Sequence, residues 1–555
     1  MSYFDDASLV FIPSGTKVSK AYSVKPIDGS GDLAFTRSND TATRVASNGL
    51  IEKVRTNLNP NGNLVGLALN TNPTGYTNFN TGTFEPVTNT TSAVGTFCKF
   101  TTSATRSFLE RTFTGLTIGQ AYAFSYKVQA VSGGLLANQS FSFFSGVTLS
   151  SFYINGVSSP TGSDSVTTGL IYIVGVATST SISIRIGSGV SGATTAVLEI
   201  GNFQLESSDI ATDYIPTTTA AVSVGPVANV PRLDYLNSTC PKLLLEPQRT
   251  NLALYSEQFN NAAWVATSTT VTANTTISPD GYQNADTMII TDSNSRIVQV
   301  SSLGAGTYTI SAYVKVLSTT TAGTMRFAPV VDGSNANSFF TPTTEWARYT
   351  QTFTAATGVT AIALRGSATG FVGNVAVYGF QIEVGSYATS YIPTLAASVT
   401  RGADFAQQTG ITSLIGQTEG TLFLDFESGA NDSIDYAFSI NDGTTTNRIA
   451  IFRGSANNVI GQVRLAAVTQ ASIVSATITP NTKQKCAIAY KLNDVAFYVN
   501  GVQIGVDTSA SIPACSALSS SSGGAGGSLF GRPVNQALLF TTRLTNAQLA
   551  ELTTI

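Results

Sequence analysis

Three features of the sequence predict an all-β fold: tandem antiparallel jelly-roll β-sandwiches behind an extended N-terminal arm. The first is alternation. In TYTISAYVKV, Tyr308, Ile310, Ala312, Val314 and Val316 alternate with Thr309, Ser311, Tyr313 and Lys315. A period of two places the first set on one face of a strand. The second is punctuation: short strand-like runs are separated by Gly, Asn, Asp and Ser clusters, with almost no helical periodicity. The third is an internal repeat, in which FQLESSDIATDYIPT (203–217) returns as FQIEVGSYATSYIPT (380–394).

The repeat is wider than that pair. Glu52, Arg55, Thr56, Asn57 and Leu58 return as Glu246, Arg249, Thr250, Asn251 and Leu252. Between these ends, QAYAFSYKV (120–128) matches TYTISAYVKV. The offset between copies shrinks along the chain, so the second copy is shorter, and loops are where length differences are tolerated. Phe203 and Leu205 match Phe380 and Ile382 on one strand face, while Gln204 and Glu206 match Gln381 and Glu383 on the other. The stretch reads as the last core strand of each sandwich, and the Pro of YIPT ends the ladder.

In chain order, residues 1–54 have little core-building capacity beyond SLVFIP (8–13) and read as an arm. Residues 55–217 are the first sandwich copy, 218–248 a connector, 249–394 the second copy and 395–418 a linker. Residues 419–555 read as a third sandwich of different sequence. There GTLFLDFE (420–427) alternates, and CAIAYKLNDVAFYVNGVQIGV (486–506) reads as successive hairpins. Their turns fall at Leu492-Asn493-Asp494 and at Asn500-Gly501. SSSSGGAGGSLF (519–530) is a flexible loop by composition. RLTNAQLAEL (543–552) is the clearest helix, with Thr545 as N-cap and Gln548 completing a capping box.

Composition narrows the function. The chain has 555 residues, of which 42% are hydrophobic and only 11% charged, against roughly 25% charged in ordinary soluble domains. Such a polar, nearly neutral surface suits a protein that meets the outside world or packs in an assembly. Net charge is −3 with no basic run, so no nucleic-acid partner is expected. No apolar stretch approaches the ~20 residues of a membrane span, so no membrane insertion is expected. MSYFDDASLVFIPSG lacks a basic region and carries Asp5 and Asp6, so it does not read as a secretory signal. The sequence contains no histidine, which removes Ser–His and Cys–His pairs and every His-ligated metal site. Cys98, Cys240, Cys486 and Cys515 lack metal-ligand spacing and read as buried thiols, a Cys486–Cys515 bridge being the one pairing left open.

Three resemblances follow from quoted segments. RTNL, TYTISAYVK, TEWARYTQTFTA (344–355) and FQ-E resemble the galactose-binding-type sandwich of many carbohydrate-binding modules. VAFYVNGVQIG and the terminal RLTNAQLAEL resemble concanavalin A-like, laminin-G-type sandwiches. DLAFTRSNDTATRVASNGLIE (32–52), ANVPRLDY (228–235) and LLLEPQRTNLALYSEQFNNAAW (243–264) resemble a phage virion appendage architecture, found in head and tail fibres including those of crAss-like phages. There the first two segments usually lie close together, whereas here a whole sandwich separates them. The resemblance implies a structural fibre in the virion, head or tail, attached through residues 1–54 to other virion proteins. It also implies a homotrimer and a sandwich offered to a host-surface glycan. A head decoration fibre without receptor role and a bacterial glycan-binding protein are the alternatives.

No catalytic, cofactor or metal residue is assigned, and no enzyme activity is expected. A structural Ca²⁺ is left open, with no Asp-rich loop to hold it. Trp264 and Trp346 are the two tryptophans; core or edge packing is favoured over a sugar platform. Glu206, Glu383, Glu52 and Glu246 read as partners of the repeated Arg55 and Arg249. Asp425 and Glu427 share a strand face, as a glycosidase pair would, without supporting acids. NDGTTTNR (441–448) and SANN (455–458) read as solvated loops.

Overall fold

The computed structural model describes residues 3–68, 71–79, 83–87, 97–101, 107–134, 136–188, 196–368, 370–429, 435–454, 456–524 and 529–555. Ser455 and residues 525–528, within two of the predicted loops, lie outside them. Antiparallel strands dominate, and the chain forms two compact units. One is Val54–Gly225; the other joins Met1–Lys53 to Pro226–Ile555.

The first unit is a sandwich of a seven-stranded and a four-stranded sheet. Its central strand Ala121–Ser132 turns Tyr122, Phe124, Tyr126 and Val128 into the core, as the alternation predicts. In the second copy, Gly306–Thr321 does the same with Tyr308, Ile310, Ala312, Val314 and Val316. The strands Val197–Glu206 and Val372–Val384 pair beside them and bury Phe203, Leu205, Phe380 and Ile382.

The repeated polar residues form a clasp around those strands. Asn57 donates to the carbonyls of Phe203 (3.2 Å) and Ile215 (2.9 Å) and accepts from the amide of Leu205 (3.1 Å). Asn251 donates to Phe380 (3.1 Å) and Ile392 (2.9 Å) and accepts from Ile382 (3.1 Å). Gln204 accepts from the amide of Ile215 at 2.7 Å, and Gln381 from Ile392 at 2.8 Å. Glu206 takes the amide and hydroxyl of Thr212; Glu383 takes those of Thr389. Tyr214 and Tyr391 reach Asn63 and Glu257. The YIPT threonines donate to Asn59 and Ala253, each at 2.6 Å. A chain that leaves a sheet must satisfy its backbone groups elsewhere, and these side chains do so. The repeated sequence is the repeated clasp.

The expectation of an extended arm over 1–54 is corrected. Leu9–Phe11 pairs with Val534–Phe540, and Leu33–Thr36 with Phe405–Thr409. Leu9, Phe11, Leu33 and Phe35 are buried in the core of the third sandwich. The apolar pieces are too short to make a core and instead complete one. The connectors are also structural. Arg232–Asp234 and Lys242–Leu244 extend one sheet of the third sandwich, and Phe405–Thr409 lies inside the other.

The third sandwich faces an eight-stranded sheet with a nine-stranded one. Its predicted hairpins join Lys483–Lys491, Val495–Val499 and Val502–Asp507. Asn500 (φ 51°) and Gly501 (φ 83°) supply the left-handed turn. The helix Asn546–Thr553 carries the predicted capping box of Thr545 and Gln548. The flexible-loop reading of 519–530 fails at its start. Ser519, Ser520 and Ser521 are fully buried; the Ser519 hydroxyl bonds Asn441 and that of Ser520 bonds the amide of Ala406. Small hydroxyl residues suit a sheet interior when each finds a partner. Cys98, Cys486 and Cys515 are buried and Cys240 is exposed, with no disulfide among the described residues.

Candidate functional site

The predicted site residues resolve first. Trp264 is buried against Phe259 and Phe380, its Nε1 donating to the carbonyls of Leu254 and Tyr255. Trp346 is partly buried against the apolar cluster of Ile51, Ala285, Ala376, Tyr378 and Tyr391 and donates to the carbonyl of Ile277 at 3.0 Å. Asp425 is paired with Lys483 at 3.0 Å and accepts from Asn535, while Glu427 is paired with Lys242. Glu383 meets Arg249 at 3.8 Å, as expected for the second copy. Glu52 and Glu246 do not pair with Arg55 and Arg249. Glu52 meets Arg44 at 2.7 Å, both partly exposed. Residues 441–448 form a turn in which Asp442 accepts from Thr444 and Asn447.

Glu246 instead anchors a buried network that joins distant segments. Its carboxylate takes Arg232 at 2.7 Å and Arg401 at 2.9 Å, together with the amide and hydroxyl of Ser390. Asp404 pairs with Arg37 and Arg232. Against the burial that would raise it, Arg401 and Arg232 hold the Glu246 carboxyl well below its ordinary range.

The Ca²⁺ expectation meets a different arrangement. Among the described residues no group of three or more His, Cys, Asp or Glu side chains could hold a metal ion. Where Glu257 and Asp280 converge, the Lys53 ammonium stands between them at 2.9 and 2.7 Å. Burial would raise the Asp280 carboxyl, but Lys53 holds it down to about 2.

The second sandwich packs a seven-stranded sheet on a five-stranded one, and a concave pocket of about 460 Å³ lies on the outer face of the seven-stranded sheet. Alternation puts Ile297, Ile362, Leu364, Met325 and Phe327 into the core and their neighbours outward. Register then aligns one cross-strand row: Thr267, Arg296, Arg365, Arg326 and Phe339. Three guanidinium groups thus sit on adjacent strands. Arg365 donates to the Ser293 carbonyl at 2.6 Å, and Arg326 lies over the Phe339 ring at 5.7 Å. Among the described residues no carboxylate lies within ion-pair distance of any of the three. Burial, then the charges of Arg326 and Arg296, pull the Arg365 guanidinium below its ordinary value against the opposing pull of Asp292. Beside the row, Val298 opposite Ala363 and Val300 opposite Ala361 form an apolar floor. Val330 and Asn335, paired in a short hairpin, complete one rim.

The same row exists in the first sandwich with different chemistry. Thr77, Glu110, Arg185 and Ser142 occupy the places of Thr267, Arg296, Arg365 and Arg326. Glu110 and Arg185 neutralise each other at 2.7 Å. Thr112 and Ser183, in the places of Val298 and Ala363, bond each other at 2.8 Å. Sequence reading missed this face, because a residue's cross-strand neighbours depend on pairing register. The one available signal was that aligned copies carry Glu in one and Arg in the other.

No known family profile matches the chain, and no curated protein does. Solved structures match parts of it. The CBM40 module of the Ruminococcus gnavus IT-sialidase is 14% identical, with a TM-score of 0.23, covering 26% of this chain and 86% of that one. The SAP-like pentraxin of Limulus polyphemus is 13% identical, with a TM-score of 0.20, covering 24% and 69%. The NanB sialidase of Streptococcus pneumoniae is 11% identical, with a TM-score of 0.23, covering 26% of this chain and 25% of that one. These are partial likenesses and do not bear on what this chain binds.

Proposed function

We propose that this chain is a structural appendage protein of a phage virion, a head or tail fibre, that offers a β-sandwich to a host-surface glycan. The observation that supports attachment is the open face of the second sandwich: a concave, partly apolar pocket with unneutralised donors at one end. Sugars present apolar faces and polar rims, and sites that bind them combine flat apolar contact with a few fixed polar groups. The virion role rests on the segment resemblances. It gains support from the N-terminal segment, where Phe4, Val18, Val24 and Ile27 are exposed. Scattered apolar groups of this kind suit contact with another virion protein, and assembly as a homotrimer belongs to the same proposal.

The test has two parts. Antibody to the chain should label intact phage particles, and labelling absent from purified virions would remove the appendage reading. The purified full-length chain should bind some members of a panel of capsulated and acapsular bacteria. Particle labelling without binding to any cell would favour a head decoration fibre; binding without labelling would favour a bacterial glycan-binding protein.

A further inference from the structure

The row of three arginines has an energetic cost that its counterpart avoids. Like charges directly opposite on adjacent strands destabilise a sheet. The first copy places Glu110 opposite Arg185. The second places Arg296 opposite Arg365 and adds Arg326 on the far side. The charge moves from a balanced pair to three positive groups, with no protein carboxylate in ion-pair range among the described residues. The neighbouring floor changes in the same sense. A hydroxyl pair that satisfies itself, Thr112 with Ser183, becomes Val298 with Ala363. Polar self-pairing is thus lost along the whole face, and donors are left at one end of an apolar strip.

We propose that this face of the second sandwich binds an acidic sugar, its negative group held by the Arg296–Arg365–Arg326 row and its ring laid on the Val298–Ala363 floor. The proposal rests on the glycan-attachment reading and names the class of ligand. Guanidinium forks match carboxylate and sulfate oxyanions in two-point geometry, and charge-assisted bonds of this type are the strong ones. The ligand supplies the anion that Glu110 supplies in the first copy. Asn335 on the rim adds a polar group able to bond a ring hydroxyl.

The experiment titrates the full-length chain with an oligogalacturonate, a heparin oligosaccharide and a neutral maltooligosaccharide at low and physiological salt. Variants R296E and R326S install the residues of the first copy, so the fold accepts them; R464S, in the third sandwich, is the control. The expected result is binding of an acidic oligosaccharide that weakens with salt, falls at least tenfold in R296E, falls less in R326S and is unchanged in R464S. Preference for galacturonate identifies a carboxylate as the group, and preference for heparin a sulfate. Acidic-sugar binding equal in wild type and R296E would overturn the proposal, as would binding of the neutral oligosaccharide alone. If R296E binds bacterial cells as well as wild type does, this inference falls and the attachment reading stands. If neither protein binds any cell, both fall.

Discussion

The two sandwich copies share a clasp and differ on a face. Asn57 and Asn251 make the same bonds to the same backbone groups, and Gln204, Glu206, Gln381 and Glu383 follow suit. On the outer row, Glu110 and Ser142 give way to Arg296 and Arg326. What is kept after duplication is what closes the fold. What changes is surface that the fold does not need. The difference therefore separates structural residues from candidate binding residues without any ligand in view.

Differences at equivalent positions also rank the expected effects. The largest belongs to Glu246. Replacing it with Gln leaves buried Arg232 and Arg401 short of a counter-charge, and breaking such a group costs about 3–5 kcal/mol. Glu52, its counterpart, meets only a partly exposed Arg44, so E52Q should cost less than about 1 kcal/mol. Chemical denaturation of both variants checks this, and equal losses would break the distinction.

The clasp asparagines come next, with the opposite expectation of equality. N57A and N251A each strand buried carbonyls and amides, at about 1–3 kcal/mol for each group left unsatisfied. Calorimetry should show each sandwich losing stability by a similar amount. A loss in only one would mean that the shared sequence does not do shared work.

Acid should separate the copies further. Asp280 is lowered to about 2 in the folded state. A carboxyl lowered on folding stabilises above its unfolded value and loses that contribution as pH falls through the folded one. The unit containing the second sandwich should therefore weaken between about pH 4 and about pH 2, by on the order of 2 kcal/mol from Asp280. Glu246 adds in the same direction. Glu257, raised by burial, acts in the opposite sense at higher pH. In the first copy Glu206 is raised, chiefly by burial. A raised carboxyl gains stability as pH falls through its folded value toward its unfolded one, so mild acid should favour that contribution. Thermal scans from pH 7 to pH 2 read both. Loss of the first unit ahead of the second on acidification would contradict the assignment.

The smallest stability effect belongs to the row. E110R in the first copy turns an ion pair into a repulsive one and should cost no more than about 1 kcal/mol. Its use is in binding, since E110R with S142R rebuilds the second copy's charge pattern in the first. A gain of acidic-sugar affinity there would sharpen the claim that the row sets the ligand class.

Much of this was legible in the sequence, for reasons visible in particular residues. Alternation set the faces of Gly306–Thr321 because its aliphatic residues line the sandwich core while Thr309 and Ser311, though also buried, face the other way. Thr545 and Gln548 announced their helix because capping is local. The clasp was legible as a repeat but not as a set of bonds. The rest depended on contacts between distant segments. Leu9 and Phe11 looked too few to make a core because the core they join lies at the other end of the chain. Arg37, Arg232 and Arg401 meet around Glu246 and Asp404 only after folding. The arginine row required strand register, which no local pattern specifies.

The most direct measurement is a crystal structure of the full-length chain soaked with a short acidic oligosaccharide. The sugar's negative group should lie between Arg296 and Arg326, with its ring on Val298 and Ala363 and nothing at Glu110 and Arg185. A ligand seated instead in the loops of the third sandwich, or equally on both copies, would contradict that placement.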